Sequence, residues 1–185
     1  EVSQQYFDDE IVSCQINESF VDAGAFDGAT SVEFAKWAKK GYEKIVIYEP
    51  MKENIVNVEH TVRNLKNVEI HNKALWNKKE LLQFSFDGAG SSIDKNGVTV
   101  EAEPLDPDSK VTFVKMDIEG AEMNALEGMK SIIMEQKPKL AICIYHLYDD
   151  LWNIPKYIHE LVPEYKLYMR HYSKINEETV IYAIL

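Results

Sequence analysis

The chain has 185 residues, 45% hydrophobic and 28% charged, which suits one globular domain with a core and leaves no room for two ordinary ones. A formal net charge of −11 without any dense Lys/Arg cluster argues against nucleic acid as a partner, because such binding rests on cations that displace phosphate counterions. No run reaches the ~18 apolar residues of a membrane span and no signal peptide opens the chain, so a cytoplasmic location is expected.

In chain order, Glu1 stands in place of a starting Met, as in a trimmed chain or a piece of a longer polypeptide. ESFVDAG (18–24) reads as a short buried strand, and TSVEFAKWAKKG (30–41) as an amphipathic helix closed by Gly41. KIVIYEP (44–50) is a β-branched strand stopped by Pro50. MKENIVNVEHTVRNL (51–65) is helical, with Ile55, Val58 and Val62 on one face, and NVEIHNKAL (67–75) is a third strand. Between Glu80 and Glu103 two strands flank the turn-rich DGAGSSIDKNG, a hairpin-like excursion. KVTFVKMDIEG (110–120) and PKLAICIYH (138–146) are buried strands separated by a helix from about Ala121 to Glu135. LYDDLWNIPKYIHELVP (147–163) is a helix in which Pro155 sits in a first turn or marks a kink. YKLYMRHYS and ETVIYAIL close the chain as an antiparallel pair. Cys14 and Cys143 form no CxxC arrangement. Cys143 lies in an apolar run as a small buried hydrophobe, which points to a reducing compartment.

Strands alternating with helices, each strand nearly all apolar, predict a mostly parallel sheet covered by helices on both faces. Such sheets bind ligands beyond the carboxyl ends of their strands, near the point where strand order reverses. The candidate residues fall at those ends: Asp22–Gly28, Glu49, Ala74 and Leu75, Asp117 and His146. In FVDAGAFDGAT (20–30), Gly24 permits a tight turn and Gly28 a close approach to a ligand before the next helix. The spacing is G-x-x-x-G rather than G-x-G-x-x-G, so the loop alone does not identify a ligand. Glu49, an acid closing the second strand, is placed to accept both hydroxyls of a ribose. Two cofactors suit this layout, a nicotinamide dinucleotide and S-adenosylmethionine. Phe26 obstructs a pyrophosphate and the antiparallel C-terminus suits a methyltransferase sheet, so S-adenosylmethionine is favoured over a dehydrogenase cofactor.

The chain resembles the FkbM family of S-adenosylmethionine-dependent methyltransferases. The resemblance is carried by VDAGAFDGAT (21–30), IYEPMKENI (47–55), NKAL (72–75), VTFVKMDIEGAEMNALEGM (111–129), KPKLAICIYH (137–146) with DLWNIP, and YKLYMRHY…ETVIYA. The opening loop is shared with many methyltransferases, whereas KMDIEGAE at its distance from YEP and YH is far more specific. The resemblance implies an α/β, Rossmann-like class I methyltransferase fold with a C-terminal antiparallel strand pair, occupying residues 1–185 as a single domain. It implies methyl transfer to an oxygen, commonly a hydroxyl of a sugar or another natural product. A non-catalytic cofactor-fold module within a larger protein is the other reading, and fusion to domains such as a glycosyltransferase is compatible with both.

Carried over by position, Asp22, Gly24 and Gly28 would flank the methionine moiety of S-adenosylmethionine, with Ala25, Phe26 and Pro50 also binding the cofactor. Glu49 would hold the ribose, Ala74 and Leu75 would lie near the adenine, and Asp117 would sit under the reacting centre. A sugar hydroxyl is a poor nucleophile and gains from a general base. His146, opposite Asp117, is the candidate, with Asp117 orienting it or binding the cofactor's amine. Glu119, Ser92 and His171 are candidates for contact with a small-molecule or saccharide acceptor. No compact metal-ligand motif is present; Asp117, Glu119 and His146 form the alternative metal set.

Overall fold

The computed structural model describes residues 5–85, 92–93 and 97–185. In chain order the elements are β1 Glu18–Ala23, α1 Ala29–Trp37, β2 Tyr42–Tyr48, α2 Lys52–Val62, β3 Val68–His71, β4 Ala74–Leu75, β5 Glu80–Ser85, β6 Ser92–Ile93 and β7 Val98–Glu103. They continue with β8 Phe113–Met116, α3 Glu122–Gly128, α4 Lys130–Gln136, β9 Lys139–Cys143, α5 Asp150–Leu161, β10 Lys166–His171 and β11 Thr179–Ile184.

The main sheet has seven strands in the order β10-β11-β9-β8-β1-β2-β3. β9, β8, β1, β2 and β3 run parallel, and β11 is inserted antiparallel between β9 and β10. Strand order reverses at β1, which pairs with β2 on one side and β8 on the other. The carboxyl ends of β1 and β8 therefore flank the crevice where a ligand is expected.

Alternate residues of each central strand face opposite layers of core. Val21, Val46, Val114, Met116 and Leu140 pack with α3, α4 and α5 on one face. Phe20, Ile45, Ile47 and Phe113 pack with Phe34 of α1 and Val58 of α2 on the other. Phe20 and Phe34 stack with ring centroids 4.1 Å apart, which locks α1 over β1. The edge strand β10 is largely exposed, while β11 beside it is buried over Val180–Ala183.

Two expectations are corrected and a third is narrowed. The third strand does not run from 67 to 75: β3 ends at His71, and Ala74–Leu75 belongs to a second, four-stranded sheet ordered β4-β7-β5-β6. The chain turns at Asn72, whose side-chain amide donates to the carbonyls of Glu49 and Pro50, and Ala74 then pairs with Ala102. The predicted helix over 121–135 is interrupted at Met129 and becomes α3 and α4. Of the two alternatives for Pro155, a first turn or a kink, the first does not hold: Pro155 lies in the interior of α5, and its missing N–H leaves the Leu151 carbonyl without a helical partner.

Candidate active site

A cavity of about 640 Å³ opens at the carboxyl ends of the central strands. That volume is in the range that encloses a small ligand, roughly 300–1,000 Å³. Gly24, Phe26, Glu49, Pro50, Ala74 and Leu75 line one end of it. Asp117, Ile118, Glu119, Tyr145 and Glu178 are also on its wall. Five of its lining residues are carboxylates (Glu49, Glu53, Asp117, Glu119 and Glu178), and among the described residues no Lys, Arg or His joins them.

The loop after β1 is held from two sides. Gly24 has a φ of +76°, and a Cβ there would stand 1.8 Å from the Asp117 carbonyl oxygen. Gly28 has a φ of +82°, and its Cβ would press on Val58 and Val62 of α2. Gly24 is thus required by the close approach of β1 to β8, and both glycines by their positive φ. Between them Phe26 also has a positive φ, +53°, and its ring is exposed at the cavity rim. Its backbone N–H donates to Glu49 Oε2 at 2.9 Å. Glu49 Oε1 accepts the backbone N–H of Met51 at 2.9 Å and the Asn54 amide at 3.2 Å. A carboxylate has about four lone-pair sites, so acceptor capacity remains on this buried group.

Asp22 does not reach the cavity. It lies wholly buried beneath the loop, where Oδ2 accepts the Ser31 hydroxyl at 2.7 Å and Oδ1 faces Lys115 Nζ at 3.2 Å. Lys115 is the direct neighbour of Asp22 across the β1–β8 pairing. It also donates to the carbonyls of Ala23 and Gly24, at 3.2 and 2.5 Å, and so fixes the loop's first turn. Burial opposes the Lys115 charge, but the carboxylates of Asp22 and Asp117 outweigh it and hold the ammonium above its ordinary value.

Asp117 anchors the other end of the cavity. Its Oδ2 accepts the Tyr6 hydroxyl at 2.9 Å and its Oδ1 the Tyr145 hydroxyl at 3.2 Å. Burial, then neighbouring Cys143 and Asp117, push the Tyr6 phenol up; burial, then Asp117, do the same to Tyr145. Both hydroxyls therefore keep their protons and donate.

His146 is not on the cavity wall; its side chain is only 4% exposed. Nε2 faces Asp117 Oδ1 at 3.3 Å and Glu119 Oε2 at 3.5 Å, while Nδ1 faces Glu122 Oε1 at 2.9 Å. Glu122 is fully buried, and the same Oε1 accepts the Ile118 N–H. Burial lowers the imidazole's affinity for a proton, but Glu122, Asp117 and Glu119 together more than offset it and push the pKa up to about 9. In the metal-free chain the ring is a cation at neutral pH and cannot accept a further proton. Glu119 itself, half-exposed at a backbone φ of +59°, is raised above the ordinary carboxylate range by burial, against the pull of His146.

Of the other candidates, Ala25 is buried in the loop. His171 sits on the exposed strand β10, its Nδ1 paired with Thr179 Oγ1 at 2.9 Å, and does not line the cavity. Ser92 is described only through its place in β6; its side chain lies outside the described residues. Sequence reasoning passed over Tyr6, Lys115, Glu122 and Tyr145. A charge inside the apolar run VTFVKM is the one local sign that could have pointed to Lys115.

The Methyltransferase FkbM domain matches residues 22–174, from the end of β1 to the turn before β11. The chain belongs to the FkbM methyltransferase family. A solved FkbM methyltransferase from Methylobacillus flagellatus KT is 28% identical with a TM-score of 0.85, covering 98% of this chain and 47% of its own. The chain therefore spans about half the length of that relative. Aeropyrum pernix fibrillarin, solved with natively bound S-adenosyl-L-methionine, is 11% identical with a TM-score of 0.53, covering 92% of this chain and 67% of its own. A Streptococcus mutans methyltransferase-fold protein in complex with SAH is 12% identical with a TM-score of 0.55, covering 92% of this chain and 91% of its own. These two likenesses concern the fold alone. No curated protein matches. Among the described residues of this FkbM domain, no helix is long and apolar enough to cross a membrane.

Proposed function

We propose that the domain transfers a methyl group from S-adenosylmethionine to a hydroxyl, most favourably one on a neutral saccharide. The observation that carries this reading is the character of the cavity at the β1/β8 crevice: among the described residues, five carboxylates and no cationic side chain line it. Such a wall suits a cofactor bearing a sulfonium and an amine, and it repels the pyrophosphate of a nicotinamide dinucleotide. Glu49, with acceptor capacity left after its bonds to Phe26, Met51 and Asn54, would hold the ribose hydroxyls. Pro50, Ala74 and Leu75 would bound the adenine end, and Gly24, with Asp117 behind it, the methionine end.

S-adenosylmethionine supplies an already activated methyl, so the protein's own work is to position an acceptor oxygen and help its proton leave. Asp117 and Glu119 stand where a hydroxyl can donate to them, with Tyr6 and Tyr145 fixing Asp117. His146 orders both carboxylates from behind. The same acidic wall disfavours phosphorylated or carboxylated acceptors, and the aromatic rings of Phe26 and Tyr145 beside carboxylates make a lining that a polyhydroxyl ring can contact on both face and edge.

The test is calorimetric titration with S-adenosylmethionine, SAH and NAD, followed by methyl-transfer assays on neutral and phosphorylated sugars. Binding of the first two and not of NAD, with transfer only to neutral acceptors, is expected. Failure to bind S-adenosylmethionine would remove the proposal.

A further inference from the structure

The cluster behind the acceptor end has a geometry that an ion-pair network alone does not require. His146 is held on its Nδ1 side by the fully buried Glu122, while Nε2 points at the two carboxylates that line the cavity. With 4% of its side chain exposed, the ring makes no aligned hydrogen bond at either nitrogen. Three carboxylates surround the ring, and neither nitrogen is aligned for a hydrogen bond to any of them.

We propose that Asp117, Glu119 and His146 Nε2 hold a divalent first-row cation such as Mn²⁺, with Glu122 fixing the ring from behind. Donor atoms of Asp117, Glu122 and His146 lie within 4.8 Å of one another. An imidazole nitrogen can hold one ion, and the Nδ1 side is closed by Glu122 away from the cavity. The ion therefore belongs on the Nε2 side, between Asp117 and Glu119. Nε2 stands 3.3 Å from Asp117 Oδ1 and 3.5 Å from Glu119 Oε2, close enough for one ion to be shared between the ring nitrogen and either carboxylate. Glu122 then plays the part of the outer carboxylate that orients a ligating histidine and sets its tautomer. Two carboxylates and one imidazole form a mixed oxygen and nitrogen set, which suits Mn²⁺ better than the all-oxygen preference of Mg²⁺.

This site rests on the proposed methyl transfer for its role, though not for its existence. A cation there would make a coordinated acceptor hydroxyl acidic. The O–H bond breaks and its proton passes to bulk water at the cavity mouth, where Glu119 is 54% exposed. The oxygen bonds the methyl carbon as the carbon–sulfur bond breaks, which leaves a thioether.

The experiment titrates chelator-stripped whole chain with Mn²⁺ alone, followed by electron paramagnetic resonance and by paramagnetic broadening of the His146 ring signals. S-adenosylmethionine affinity is measured separately by calorimetry. One saturable Mn²⁺ per chain that broadens His146 is expected. Glu119→Gln, at a half-exposed position, should weaken Mn²⁺ about 10-fold or more, and Glu122→Gln by about 10–100-fold, with cofactor affinity retained as the check on folding. Absence of saturable binding, broadening elsewhere, or Mn²⁺ affinity unchanged in Glu119→Gln would overturn the site. Mn²⁺ bound at His146 in a chain that ignores S-adenosylmethionine would uphold it and overturn the methyl-transfer reading instead.

Discussion

The Glu49 carboxylate accepts the backbone N–H of Phe26 at 2.9 Å, which couples the end of β2 to the loop after β1. Glu49 is thus a structural tie for that loop as well as the candidate ribose acceptor, and the two roles can be separated by substitution.

Glu49→Ala should both weaken S-adenosylmethionine binding and lower stability, because the Phe26 and Met51 amides lose their acceptor. A loss of about 1–3 kcal/mol in unfolding free energy is expected. Glu49→Gln keeps an acceptor oxygen for one of the two amides and sets an NH2 against the other, so it should recover part of the stability and little of the affinity. Denaturant unfolding alongside calorimetry measures both; equal affinity in all three proteins would take Glu49 out of the cofactor site.

Gly24 and Gly28 should respond differently. A Cβ at Gly24 meets a backbone oxygen at 1.8 Å, whereas at Gly28 the nearest atom is a valine methyl at 3.2 Å that can yield. Both alanines carry the cost of a positive φ, so each should destabilise by more than ~1 kcal/mol. Gly24→Ala should be clearly the worse of the two, and Gly24→Val should not give a folded domain at all. Thermal melts that rank Gly28→Ala lower would contradict this assignment.

Removing one member of the buried Lys115–Asp22 pair should be severe. Lys115→Met leaves the wholly buried Asp22 without its cation and releases the Gly24 carbonyl, with an expected cost of about 3–5 kcal/mol. Adding Asp22→Asn should restore part of that loss. A double-mutant cycle by urea unfolding measures the coupling, and simple additivity would mean that the pair contributes nothing specific.

In metal-free protein the His146 ring should titrate near pH 9, by NMR of the ring signals. This lies above the unfolded imidazole value of ~6.5. Its contribution to stability is therefore complete below ~6.5 and lost as the pH rises through about 9. Glu122→Gln removes the carboxylate on the Nδ1 side and should lower the titration midpoint. A ring that titrates at the unperturbed value would show that the carboxylates do not act on it.

Local pattern was enough to determine the α/β class, the run of apolar strands and the residues at their carboxyl ends. Strand burial and helix amphipathicity are written in periods of two and 3.6 residues, and the turn residues mark where each strand stops. Glu49, Asp117 and Glu119 could be placed at a ligand-facing edge for that reason, and the cavity does include them. What only the tertiary structure decided are the pairings across that edge. The order of parallel strands brings Lys115 beside Asp22 and the Asp117 carbonyl onto Gly24, and neither neighbour leaves a trace in local periodicity. Ala74 and Leu75 read as the tail of β3, yet Asn72 turns the chain into a second sheet. His146 read as a residue at a strand end facing an acceptor; its orientation was decided by Glu122, a helix residue whose carboxylate reaches the ring only after α3 packs against the sheet.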